Sequence, residues 1–482
     1  MKKLFFISIL FLSINSYSQT ASTKLNEIFS DVDKFEHSIN PQDSLYRGLH
    51  IKGKFSEVTE TTALVKYERY QKFITRLNEV SDSELTRQEF ISKQVMLLKL
   101  GNIISSVKYN MFMIPLNAEG GFYMWINRVL NRLPFKSVND YDDYLHWLPS
   151  YVNWLEDHLK LMQKGISIGV VAPKVVINNN IKLLEPWVID DFNKSPFYKP
   201  INQIPENWDQ KEAEKLRAKA QEIISKQVIP LYKKIDTFLR TDYLIASPNE
   251  PGVKFLNNGK AYYVDRVNYY TTLPMTPDSV HILGLQEVDR IKKLMLAIIK
   301  ETEFDGSFED FIAFLRTDEQ FYAKTPQELL NHAAWLSKKA EAQLPKLFEK
   351  LYSLPFTVAP VPDDIAPTYT GGRYVPGSWK QQRSGTYWVN TYKLESRTLY
   401  TIPSLTLHEA VPGHHLQGAL AKELTGIPDF RNNYYISAFG EGWGLYSEFL
   451  GEEMGMYATP YERFGRYTYE MWRACRLVVD TG

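Results

Sequence analysis

The stretch Leu405–Gln417, LTLHEAVPGHHLQ, decides how the rest of the chain is read. Three of the nine histidines, His408, His414 and His415, fall within eight residues here, and Glu409 directly follows the first. An HExxH site, in which two histidines one turn apart share a metal and the glutamate is general base, would need a histidine at position 412. Pro412 stands there instead. On a regular helix His414 lies about 9 Å along the axis from His408 and on a different face. His415 returns to the same face at about 10.5 Å, too far for two bonds of about 2.0–2.1 Å to one ion. An unbroken helix therefore cannot build the site. Pro412 supplies the exit, because it has no N–H for the His408 carbonyl and clashes with that turn. Gly413 then tolerates unusual dihedrals. The expectation is a bulge at Val411–Pro412 that absorbs two extra residues and swings His414 back towards His408.

Downstream, Gly440–Phe449 reads GEGWGLYSEF and offers Glu441 and Glu448. Imidazole and carboxylate are the ligands of a catalytic zinc, which takes three from protein and leaves a fourth position to water. A carboxylate beside a metal-binding histidine can take that water's proton. Shortly before the histidines, Gly385–Tyr392 (GTYWVNTY) is the strongest strand signal in the chain, rich in aromatic and β-branched residues. It could be the edge strand that pairs with an extended peptide, with Asn390 as its most useful side chain.

The rest of the chain reads as mainly α. Leu25–Ile39, Asp82–Tyr109, Asp140–Lys164, Trp208–Thr241, Thr276–Thr302 and Pro326–Tyr352 carry apolar residues at three- and four-residue spacing. Ser81 and Glu84 have capping-box spacing, and Thr276–Pro277 and Thr325–Pro326 put proline in a first turn. Pro248–Gly252 and Pro355–Gly377 read as loops inside one helical body spanning residues 19–482.

The 482 residues carry 56 basic and 56 acidic side chains, so no basic surface is offered to nucleic acid. Charged residues make up 23%, which excludes disorder and a polytopic membrane protein. Cys475 is the single cysteine and permits neither an internal disulfide nor a thiolate cluster; it reads as a small buried residue. Met1–Ser18 has a basic start, an apolar run and small residues Ser16 and Ser18 before a cut, the pattern of a cleaved signal peptide. The run is too short to span a bilayer, and no cysteine follows it as a lipid attachment point. An exported protein without a membrane anchor, periplasmic or secreted, is expected.

The motifs HEAVPGHHLQ (His408–Gln417) and EGWGLYSE (Glu441–Glu448) carry a resemblance to the bacterial family known as domain of unknown function 885. GTYWVNTY, Thr271–Thr272 with Leu283–Gly284–Leu285, and Arg476–Gly482 (RLVVDTG) support it. The family looks like mostly helical zincins with a small β-sheet near the active site, similar in layout to peptidases that cleave short peptides. The resemblance implies one zinc per chain, with His408, His414 and Glu441 as ligands and Glu409 as general base. Glu448, seven residues after Glu441, returns to the same helical face two turns away and is read as a carboxylate that orients a histidine ring, and His415 is either a substrate contact or an alternative to His414 as ligand. Sequences of this type continue past the DTG stretch, so the chain is expected to be shortened at its C-terminus.

A zinc-dependent peptidase also requires an oxyanion donor, for which Tyr446 and Tyr467 are candidates. Arg473 and Arg476 could bind a substrate carboxylate or form an ion pair with Asp480. Two other readings are a zinc hydrolase of a different ester or amide, and a non-catalytic exported protein with a structural metal. A structural site would close with four protein ligands.

Overall fold

The computed structural model describes residues 2–51, 53–363 and 365–482, except the side chains of residues 2–20, 47, 127, 128 and 380. The expected signal peptide, Met1–Ser18, lies outside the described side chains. The molecule is 68% helical with only small sheets, the mainly α architecture expected. The fold resolves into two compact units, Met1–Asp265 and Arg266–Gly482.

The first unit is built on the helices α1 (Lys2–Ile39), α2 (Glu60–Asn78), α3 (Arg87–Lys108), α4 (Val138–Ser167), α5 (Gln210–Ile223) and α6 (Ile229–Phe238). Helix α4 supplies the centre of its core: Tyr141, Tyr144, Trp147, Leu148, Tyr151 and Leu155 are fully buried at three- and four-residue spacing. Burying so many phenols requires partners for their hydroxyls. Tyr144 donates to the Phe197 carbonyl at 2.7 Å, and Tyr232 donates to the Tyr123 carbonyl at 2.6 Å. The capping box expected at Ser81–Glu84 forms one turn later. Ser81 makes no capping bond, and Thr86 and Glu89 close the box on α3. Threonine at N-cap with glutamate at N3 satisfies the same spacing nearer the regular helix. Two-residue strands β1 (Leu116–Asn117) and β2 (Gly120–Gly121) pair antiparallel.

The second unit contains α7 (Pro277–Glu301), α8 (Phe308–Thr317), α9 (Pro326–Glu341), α10 (Ile402–Glu409), α11 (His414–Glu423), α12 (Ser437–Glu453) and α13 (Pro460–Thr481). Thr276 caps α7 and Thr325 caps α9, each with proline in the first turn as read from the sequence. The segment Pro355–Gly377, expected to be loop, holds two strands, β3 (Phe356–Pro360) and β4 (Gly372–Val375). They flank β5 (Gly385–Val389) in the order β3–β5–β4, β3 parallel and β4 antiparallel to it. The aromatic strand expected at an edge is thus the central strand, and no side of it is free to pair with a substrate. Its buried Gly385, Tyr387 and Val389 alternate with half-buried Thr386 and Trp388, as a strand covered on one face requires. One apolar cluster joins Tyr387 and Val389 to Leu407, Val411 and Leu416 around the histidine motif, and to Leu450 of α12.

Candidate metal centre

Helix α10 carries Pro403 in its first turn and runs to Glu409. Ala410 still donates to the Thr406 carbonyl at 2.9 Å, but its φ of −95° and ψ of −105° take the chain off the helix. The Val411–Pro412 peptide is cis. A new helix starts at His414, whose neighbour His415 donates back to the Ala410 carbonyl at 3.0 Å. The expected bulge is therefore a break and a restart. Pro412 cannot donate to the first helix, and the chain uses that freedom fully. Gly413 is required by space: a Cβ there would stand 1.9 Å from the His408 carbonyl oxygen and 2.4 Å from that of Leu407.

The break brings the two histidines together. The His408 and His414 rings lie 4.6 Å apart and nearly perpendicular. Glu441, in the first two turns of α12, places Oε2 3.4 Å from His408 Nε2 and Oε1 3.9 Å from His414 Nε2. One ligand atom from each of the three residues lies within 4.8 Å of the other two. Tetrahedral donors at 2.0–2.2 Å from a zinc ion stand roughly 3.4 Å apart, so this donor set suits such an ion. His408 is buried, His414 half-buried and Glu441 exposed, which leaves one side open.

Behind the triad, the Glu448 carboxylate is buried and meets His408 Nδ1 at 2.7 Å. It also accepts from Ser404 at 2.8 Å and from both ends of the Arg473 guanidinium at 2.7 and 3.3 Å. Glu441 and Glu448 share the helix face that the seven-residue spacing implies. Gly444, between them, clears room for the imidazole. A Cβ there would lie 2.4 Å from His408 Cε1 and 2.7 Å from both ring nitrogens.

Burial alone would lower the His408 pKa, but hydrogen bonds to Glu441 and Glu448 outweigh it and raise it to about 9. The bond from His408, with a second from the Tyr435 hydroxyl at 2.8 Å, holds Glu441 down at about 2. Burial and the neighbouring His408 lower His414 to about 4. Glu409 is buried, and burial pushes its carboxyl up to about 7 against the opposing pull of His408 and the Tyr374 N–H. That N–H, on β4, donates to Glu409 Oε2 at 2.7 Å.

Other residues picked from the sequence sit elsewhere. The His415 ring is turned away from the triad into a pocket of Tyr352, Phe356 and Tyr374, where burial lowers its pKa to about 4. Helical neighbours point about 100° apart, so only one of the adjacent histidines reaches the triad. Tyr446 follows Glu441 by five residues, about 140° round α12. Its half-exposed ring packs on Trp443 and Phe449, and with Tyr467 it lines a separate cavity of about 380 Å³. Asn390 is fully buried. Its amide donates to the carbonyls of Ala366, Tyr369 and Thr370, and its oxygen accepts from the Tyr392 N–H. It fastens the loop leading into β4, not a substrate. Arg473 pairs with Glu448, Arg476 stacks over Trp472, and Cys475 is exposed where a buried residue was expected. Tyr435 and Tyr374 were missed, because nothing in their spacing sets them apart among 30 tyrosines.

Two solved structures share the fold. One, described as a putative lipoprotein from Colwellia psychrerythraea, has a TM-score of 0.83 at 22% identity and covers 97% of this chain and 83% of its own. The other, described as a putative lipoprotein of unknown function from Shewanella oneidensis, has a TM-score of 0.70 at 14% identity and covers 95% and 82%. No curated protein matches the chain in sequence. The family described as "Bacterial protein of unknown function (DUF885)" matches residues 41–482. The chain belongs to that family.

Proposed function

We propose that the chain is an exported zinc-dependent peptidase that hydrolyses amide bonds of short peptides. The observation that carries this reading is the buried Glu409 carboxyl, brought to about 7 and fixed by a main-chain N–H, next to a three-residue donor set with an open side. A general base works best with a pKa near the operating pH. His408, His414 and Glu441 would hold a zinc ion, which would supply a Lewis acid for a carbonyl and lower the pKa of water.

Glu409 accepts a proton from water and returns it to the leaving amine, with the Tyr374 N–H occupying Oε2 and leaving Oε1 for the transfer. Glu448 fixes the His408 ring through Nδ1, so that Nε2 faces Glu441. Apart from the Tyr374 N–H, which Glu409 holds, the edge of β4 away from β5 is the candidate to receive an extended peptide. The Tyr435 hydroxyl, exposed beside Glu441, replaces Tyr446 as the candidate donor to a developing oxyanion. Export fits the N-terminal sequence and the names of the two structural neighbours. Among the described residues no helix is long and apolar enough to cross a membrane.

The test is cleavage of a mixed peptide library by wild type and by Glu409→Gln at equal zinc content. The variant should keep the metal and lose hydrolysis by more than about 10²-fold. Equal cleavage by both would end the proposal.

A further inference from the structure

We infer that His415 is a positioning residue for the general base: with the Tyr374 hydroxyl it tethers strand β4 so that the Tyr374 N–H stays on Glu409. This rests on the reading of Glu409 as base. Tyr374 makes two bonds in different directions. Its hydroxyl meets His415 Nδ1 at 3.0 Å, and its main-chain N–H donates to Glu409 Oε2 at 2.7 Å. Strand β4 is four residues long and paired on one side only, so the ladder to β5 alone holds it weakly.

The far end of the tether is rigid. His415 is fully buried, with the rings of Tyr352 and Phe356 at 4.4 and 4.5 Å from its own. Tyr352 is itself pinned by donating to Glu341 Oε1 at 2.6 Å. The central strand is cut back where the pair meets: a Cβ on Gly385 would stand 2.8 Å from His415 Nδ1 and 2.9 Å from the Tyr374 hydroxyl. The first histidine of the HH pair thus faces the donor set and the second acts through Tyr374 on the base. Displacing a reacting group by about 1 Å can cost about 10²-fold in rate, which makes such a tether consequential.

The test uses Tyr374→Phe, His415→Ala and His415→Asn in the full chain. Asparagine places Oδ1 near the position of Nδ1 and can accept from the Tyr374 hydroxyl. The readouts are kcat and KM on a cleaved peptide, zinc affinity by chelator competition, and hydrogen exchange of the amides of residues 371–375. Tyr374→Phe should lower kcat about tenfold, the loss of one buried hydrogen bond. KM and zinc affinity should not change, and the β4 amides should exchange faster. His415→Ala should lose at least as much, and His415→Asn should recover activity to within about threefold of wild type.

Wild-type kcat and amide exchange in Tyr374→Phe would overturn the inference, even if His415→Ala fails to fold. So would zinc affinity that falls in step with kcat, which would place His415 among the ligands, or an asparagine variant as impaired as alanine. If the wild type cleaves no peptide, the peptidase reading fails, and amide exchange alone decides the tether.

Discussion

Gly444→Ala separates the candidate metal centre from the helix that carries Glu441 and Glu448. In a helix interior alanine is more stable than glycine by about 0.5–1 kcal/mol. Helix α12 should gain that amount if nothing else changed. The new methyl, however, would stand 2.4 Å from His408 Cε1 and 2.7 Å from both ring nitrogens, where carbon contacts settle at about 3.5–4.0 Å. The ring must retreat by roughly 1 Å. Doing so breaks the 2.7 Å bond to the buried Glu448, a charge-assisted bond of about 1.5–3 kcal/mol. The net result is a loss of about 0.5–2.5 kcal/mol in unfolding free energy. Zinc bonds of about 2.0–2.1 Å do not tolerate a 1 Å shift, so affinity should fall by about 10²-fold or more. Gly442→Ala is the control, two residues away on the same helix with open space where its Cβ would be. It should gain about 0.5–1 kcal/mol and bind zinc as wild type does. Urea unfolding of the metal-free proteins and chelator competition give the two numbers. A Gly444→Ala protein that is stabilised like Gly442→Ala and keeps wild-type zinc affinity would refute the arrangement of His408 on α12.

Glu448→Gln should weaken zinc binding about 10–100-fold, since the carboxylate holds His408 through Nδ1 and also balances Arg473; chelator competition measures it, and unchanged affinity would exclude this role. The metal-free protein should also depend on pH through His408. Its folded pKa is raised to about 9, above the value of about 6.5 in the unfolded chain, so its contribution is complete below pH 6.5 and fades as pH rises to 9. Thermal melts across that window should show the decline, and added zinc, which displaces the proton, should flatten it; a metal-free stability that rises from pH 6.5 to 9 would contradict the assignment. Asn390→Ala should cost at least about 2–4 kcal/mol, because it strips a donor from three carbonyls and an acceptor from one N–H. A change below about 0.5 kcal/mol in urea unfolding would contradict that role.

Much of this was readable from the residues, for local reasons. The helix breaker Pro412–Gly413 stands between the histidines, and its effects on backbone donors and space are properties of those two residues alone. The seven-residue spacing of Glu441 and Glu448 gives a shared face wherever a helix forms. The sheet was not readable in this way. GTYWVNTY looks the same as an edge or a central strand, and its partners Phe356–Pro360 and Gly372–Val375 sit in a proline- and glycine-rich stretch that signals loop. Tyr374 touches Glu409 through a main-chain N–H and Tyr435 touches Glu441 through its hydroxyl, and neither contact leaves a periodic trace. The orientations of His415 and Tyr446 depend on what packs against each helix, information that lies far away in the chain.

The chain break at Pro412–Gly413 brings His408, His414 and Glu441 together as one candidate metal site. Metal analysis after zinc loading and dialysis tests it most directly, on wild type and on the His408→Ala, His414→Ala double variant. About one zinc per chain is expected in the wild type and none in the variant. A double variant that retains the full ion, or a wild type that retains none, would contradict it.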